Sequence, residues 1–115
     1  MDFCVYYENE KTAEVHTDEN RAYIKRFTTH PAKQIFYADE MPLYQLGEIF
    51  RSRCWDEKRP DLKKLLALIG LDEYDVYKIV KKTHGLMCQD KIWFLFDGED
   101  LVWETVKVNA AEKST

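Results

Sequence analysis

Residues 51–106 constrain the fold more tightly than any other part of this chain. Pro60 suits the first turn of a helix, where its missing N–H costs nothing. Leu62, Leu65, Leu66 and Ile69 then recur at three- and four-residue intervals and make one apolar stripe. Gly70 supplies the stop. Asp72 is expected to cap a further helix, with Glu73 and Asp75 in its first turn. Lys81, Lys82 and His84 fall in the last turn, so both ends complement the helix dipole, and Gly85 closes it. Residues 92–96, IWFLF, read as a strand. Asp97-Gly98-Glu99-Asp100 turns the chain, and residues 101–108 alternate well enough to return as a hairpin partner.

The first forty residues carry a different period. Residues 3–7 are rich in strand formers, and residues 12–17 alternate, with Ala13 and Val15 on one face and Glu14 and His16 on the other. Residues 21–28 give a third strand, and the polar turns Glu8-Asn9-Glu10 and Asp18-Glu19-Asn20 favour hairpins over crossovers. Pro31 ends that strand, and residues 33–39 form a connector of ambiguous type. A helix is expected to begin at Pro42, because Leu43, Leu46, Ile49 and Phe50 form another stripe. Gly47 weakens it by about 1 kcal/mol unless something must approach there. The expected fold is α+β. An N-terminal meander and a C-terminal hairpin make one antiparallel sheet, each covering an edge of the other, with three short helices in the middle. Residues 1–108 form one domain with a single core that includes Leu65, Leu66, Ile69 and Trp93, and residues 109–115 are a flexible tail.

Charge and thiols narrow the function. The net charge is −4, distributed as −3 over residues 1–40, +2 over residues 41–84 and −3 over residues 85–115. An acidic balance weighs against binding nucleic acid, which depends on neutralising phosphates. Arg51, Arg53, Lys58, Arg59, Lys63 and Lys64 surround Trp55 and could hold phosphate. Interleaved Glu48, Asp56, Glu57 and Asp61 point instead to local ion pairs. No apolar leader follows Met1 and no run is long enough to span a bilayer, so a cytoplasmic chain with no membrane association is expected. Cys4, Cys54 and Cys88 are odd in number and widely spaced, as reduced thiols would be.

No motif for catalysis, cofactor or metal stands out. His84, Cys88 and Asp90 match no standard zinc spacing, and a Cys–His pair would lack a third orienting group. The reading is therefore a non-enzymatic chain without cofactors. Tyr44, Trp55, Tyr74 and Tyr77 lie on or beside amphipathic helices and are the candidate anchors for a protein partner. Asp90 joins them because it sits between a helix stop and a strand, although capping of local backbone groups is the more ordinary role for such a residue.

These same residues carry a resemblance. Arg53, Arg59, Leu62, Leu66, Leu68 with Gly70-Leu71, Asp75, Gly85-Leu86, Asp90, Trp93, and Trp103 with Val106 follow a shared pattern. It resembles the HipA-like N-terminal proteins and segments that accompany HipA/CtkA-type Ser/Thr kinase domains in bacteria. The resemblance covers residues 51–106 only. It departs at Met87-Cys88-Gln89-Asp90, where the family has Ser-Leu-Thr-Asp, and at Ile92, where it has Tyr. It implies a fold and a neighbourhood on bacterial or phage mobile DNA, with a kinase as the partner, and no kinase activity. The alternative is a phage-encoded inhibitor of a host nuclease or defence complex, of the anti-CRISPR kind. There the acidic turns Asp18-Glu19, Asp39-Glu40 and 97–100 would imitate a phosphate backbone.

Overall fold

Alternation in the first 26 residues builds the centre of the molecule. The computed structural model describes residues 1–87 and 90–107. In it β1 (Asp2–Tyr7), β2 (Glu10–Thr17) and β3 (Arg21–Arg26) form the expected meander. Asp18 makes the β2–β3 turn by accepting from the amides of Asn20 and Arg21, and these two bonds hold its carboxyl below the usual carboxylate range. β4 (Glu40–Pro42) adds to β3, and β5 (Ile92–Phe96) adds to β1. The chain is α+β, with a five-stranded antiparallel sheet in the order β4-β3-β2-β1-β5.

One face of the sheet holds the core. Phe3, Val5, Ala13, Val15, Ala22, Ile24, Met41, Ile92, Phe94 and Phe96 are buried there. α1 (Leu43–Arg51) and α3 (Val76–Thr83) cover them with Leu46, Phe50 and Val80. Phe3, Phe50, Phe94 and Phe96 meet ring to ring at centroid distances between 5.4 and 6.4 Å. Such tilted contacts add to what burial alone supplies. Phe36 and Gln34 lie buried in the connector of ambiguous type. Gln34 donates to the carbonyls of Thr12 and Thr28 and so ties that connector to the sheet.

Several expectations are corrected. Pro42 is the last residue of β4 and the N-cap of α1, which begins at Leu43. α2 (Leu62–Leu68) starts after Asp61. The cap of α3 is Asp75, not Asp72: its extended backbone lets the carboxylate accept from the amides of Tyr77 and Lys78. α2 lies at the periphery, so of its stripe only Leu66 is buried, while Leu65 and Ile69 are half-buried. Trp93 is buried, but on the other face of the sheet from Phe94, because strand side chains alternate. There it stacks on Tyr6 at 5.1 Å and donates its indole N–H to the Glu8 carbonyl. The hairpin expected from residues 92–108 loses its second strand, because residues 103–107 are helical. Asn9, in the β1–β2 turn, accepts from the Trp103 amide and donates to the Glu104 carboxylate, so a residue far off in sequence caps that turn. Val108 and the tail 109–115 lie outside the described residues.

α3 ends with His84 in the left-handed conformation at φ 58°, followed by Gly85 at φ 65°. A β-carbon on Gly85 would lie 2.7 Å from the Phe94 ring. Gly85→Ala should therefore combine backbone strain with overpacking and lower stability by about 2–4 kcal/mol. Gly70 has φ 79° with open space around it, so Gly70→Ala should cost about 1 kcal/mol. Urea melts of the two variants check this, and equal losses would mean that the Phe94 ring yields.

Candidate docking surface

Three kinds of surface could receive a partner: the sheet edges, the helical layer and the second face of the sheet. The edges are closed. On β5 the outward amides of Ile92, Phe94 and Phe96 donate to the Asp90 carboxylate, the His84 carbonyl and the Glu99 carboxylate, at 3.0, 2.7 and 2.8 Å. On the far edge β4 is three residues long and ends in proline. Short, plugged or proline-bearing edges resist pairing with another strand. Glu99, which reads in sequence as part of a solvated acidic turn, is thus an edge plug, and its second oxygen meets His84 Nε2 at 2.9 Å.

The Asp90 part of this seal is held by Arg53, which follows α1. Its guanidinium donates to the Gly85 carbonyl at 2.7 Å, to Asp90 Oδ2 at 2.5 Å and to the Ile92 carbonyl at 3.2 Å. It also lies over the Phe94 ring at 5.7 Å. The Arg53 side chain is only 9 % exposed. Asp90 is committed on both oxygens, one to Arg53 and the other to the amides of Lys91 and Ile92. Its surroundings are those of a local cap rather than of an anchor held out to a partner.

The helical layer brings some of the aromatic candidates together and separates others. Tyr74 Oη donates to the Trp55 carbonyl at 2.8 Å, and the Arg51 guanidinium sits 5.6 Å from the Tyr74 ring. Arg51 also pairs with Glu57, as the interleaved charges suggest. Tyr44, on the outer side of α1, is 75 % exposed. Tyr77 is half-buried, packs edge-on to Phe50 and donates its hydroxyl to the Leu43 carbonyl. Its Oη also comes within 3.3 Å of where a β-carbon on Gly47 would sit, which accounts for the glycine in mid-helix. Tyr77 is a strut between α3 and α1.

The second face of the sheet was not singled out in the sequence. Its strand register puts Tyr23, His16 and Asp2 in one row and Lys25, Glu14, Cys4 and Leu95 in the next. A concavity of about 690 Å³ opens over these rows, rimmed by Asp39, Asp97 and Glu99. Alternation in β2 indicates that Glu14 and His16 share a face. The convergence on that face of carboxylates from four separate places in the chain is set by topology, so no local signal could reveal it.

Burial favours the neutral form of both described thiols. Burial pushes the Cys54 thiol up to about 11, and its S–H faces the Phe50 carbonyl at 3.2 Å. His84 is engaged with Glu99. Burial also raises the Cys4 thiol. Cys88, the middle member of the triplet His84, Cys88 and Asp90, lies outside the described residues. Among the described residues no group of three His, Cys, Asp or Glu is placed to hold a metal ion, and no helix is long and apolar enough to cross a membrane. No protein-family model matches the chain, and neither curated proteins nor solved structures yield a match.

The raised thiol gives a pH-dependent expectation. A folded-state value near 11 against an ordinary value of 9.0 favours the neutral thiol in the native state. That stabilisation is full below pH of about 9 and is lost as pH rises through about 11. Alkylation of Cys54, followed by peptide mass spectrometry, should be slow near pH of about 8 and accelerate across that window. Rapid labelling near neutrality would contradict the burial.

Proposed function

We propose that this chain is a non-enzymatic protein-interaction module from a bacterial or phage mobile element, similar to the HipA-associated N-terminal proteins. The observation that carries the reading is what the fold leaves outside. Both sheet edges are closed, yet Tyr37, Leu68 and Tyr44 stand 83, 81 and 75 % exposed. Large apolar side chains held on rigid elements are the usual anchors of protein interfaces, and aromatic ones most of all. Tyr44 projects from α1, and the Trp55–Tyr74 pair is held by its own hydrogen bond, so each meets a partner with little ordering cost. The resemblance over residues 51–106 names a HipA/CtkA-type kinase as the first partner to try. Tyr77 leaves the anchor set because its hydroxyl and ring are spent within the molecule.

A second reading, an inhibitor of a host nuclease or defence complex, is favoured by one specific observation. The carboxylates of Asp2, Glu14, Asp39, Asp97 and Glu99 gather around one concavity instead of scattering among turns. Such a surface could occupy a basic channel.

Affinity capture from a bacterial lysate separates the two. The wild-type chain should enrich a HipA-type kinase, and Tyr44→Ala combined with Trp55→Ala and Tyr74→Ala should reduce recovery by about tenfold or more. A thermal melt must first show that the triple variant folds, and Tyr44→Ala alone, at an exposed site, serves where it does not. Enrichment of a nuclease complex would move the assignment to the second reading. Equal recovery by wild type and variants would refute aromatic anchoring.

A further inference from the structure

Resting on the interaction-module reading, we propose that the open part of the second sheet face is a docking surface for a cationic, arginine- or lysine-bearing segment of a partner protein. The face is concave, and among the described residues Asp2, His16 and Tyr23 at one end of it are exposed. The helical residues 103–107 are fixed at the other end, where Asn9 caps them.

Charge identifies the occupant. The concavity is lined by five carboxylates against one ammonium, Lys25, a formal −4 with His16 neutral. The whole chain also carries −4. Arg26 and Lys11, paired with Asp39 and Glu14, stand at the margin of the concavity, so the face stays acidic with them included, while the middle of the chain is mildly basic. The carboxylates come from separate places in the fold: Asp2 on β1, Glu14 on β2, Asp39 before β4 and Asp97 after β5. Topology alone brings them together, and a nucleic acid would be repelled.

Four of these carboxylates can exchange partners; Glu99 is held by the Phe96 amide and His84. Asp39 is 79 % exposed beside Arg26, and Asp2 is 58 % exposed beside His16. Glu14, 45 % exposed, pairs with Lys11 at 3.2 Å. Exposed pairs of this kind are weak and screened, so a cation arriving from outside competes on even terms. The Asp97 side chain has no partner among the described residues. Between the carboxylates, Tyr23 presents a ring that is 41 % exposed, on which a guanidinium can stack. Cys4 and Leu95 complete a less polar floor. A volume of about 690 Å³ admits several side chains. Because both edges are closed, such a segment lies on the face and does not extend the sheet.

The test is an NMR titration of the full chain with an oligo-arginine peptide of about six residues, long enough to cross about four strands. Oligothymidine and oligoglutamate of similar length are the controls. The expected shifts are confined to Cys4, Glu14, His16, Tyr23 and Leu95. Asp2→Asn combined with Asp39→Asn and Asp97→Asn should weaken binding at least about tenfold and flatten its salt dependence. Glu48→Gln with Asp72→Asn and Glu73→Gln removes equal charge from the helical side and should change affinity less than about twofold. All six carboxylates are exposed, and a melt confirms that both variants fold. Shifts spread over every acidic turn, equal losses in the two triple variants, oligothymidine mapping to the same face, or no binding would each overturn the proposal. If partner capture through Tyr44, Trp55 and Tyr74 survives such a result, the inference has failed and the interaction reading stands. If the peptide maps to the face but no partner is captured, the interaction reading has failed instead.

Discussion

The guanidinium of Arg53 joins three parts of the chain. It bonds to Gly85 where α3 ends, to Asp90 in the following loop and to Ile92 where β5 begins, and it lies over the Phe94 ring. A planar fork with fixed donors reaches these three acceptors while lying over a ring, a geometry that a compact lysine ammonium would not reproduce. Burying such a pair is expensive, so its contribution is geometric more than energetic. It sets where β5 enters the sheet and therefore which face each of its residues presents.

That placement propagates in both directions. Toward the core, it sets Phe94 against Gly85 and within the ring cluster of Phe3, Phe50 and Phe96. Toward the edge, it fixes Asp90 so that its second oxygen can receive the Ile92 amide, while His84 and Glu99 receive the next two outward amides. A sheet with a sealed edge does not recruit strands from other chains. The surfaces left for recognition are the aromatic flank of the helices and the acidic concavity.

Much of the framework was legible in sequence because it rests on local signals. The alternation of β2 fixed its two faces, and Gly70 and Gly85 marked helix ends where φ is positive. What was not legible depends on contacts distant in sequence. β4 has three residues and no periodicity of its own. Residues 101–108 alternate like a strand, but Asn9, from the opposite end of the chain, caps residues 103–107 as a helix. Asp72 and Asp75 are equally good caps by type, and only the extended backbone at Asp75 decides between them. The candidate site divides in the same way. Tyr44 and the Trp55–Tyr74 pair follow from amphipathic helices, whereas the carboxylate convergence follows from strand order alone.

The central claim is that Arg53 and the carboxylates around it seal β5. Amide hydrogen exchange in the wild-type chain and in Arg53→Met tests it directly. The amides of Ile92, Phe94 and Phe96 should be protected in the wild type as strongly as those of β2, an interior strand. In Arg53→Met they should exchange faster by at least about tenfold while β2 stays protected. Wild-type amides on β5 that exchange like an open edge, or an Arg53→Met variant whose protection is unchanged, would contradict it.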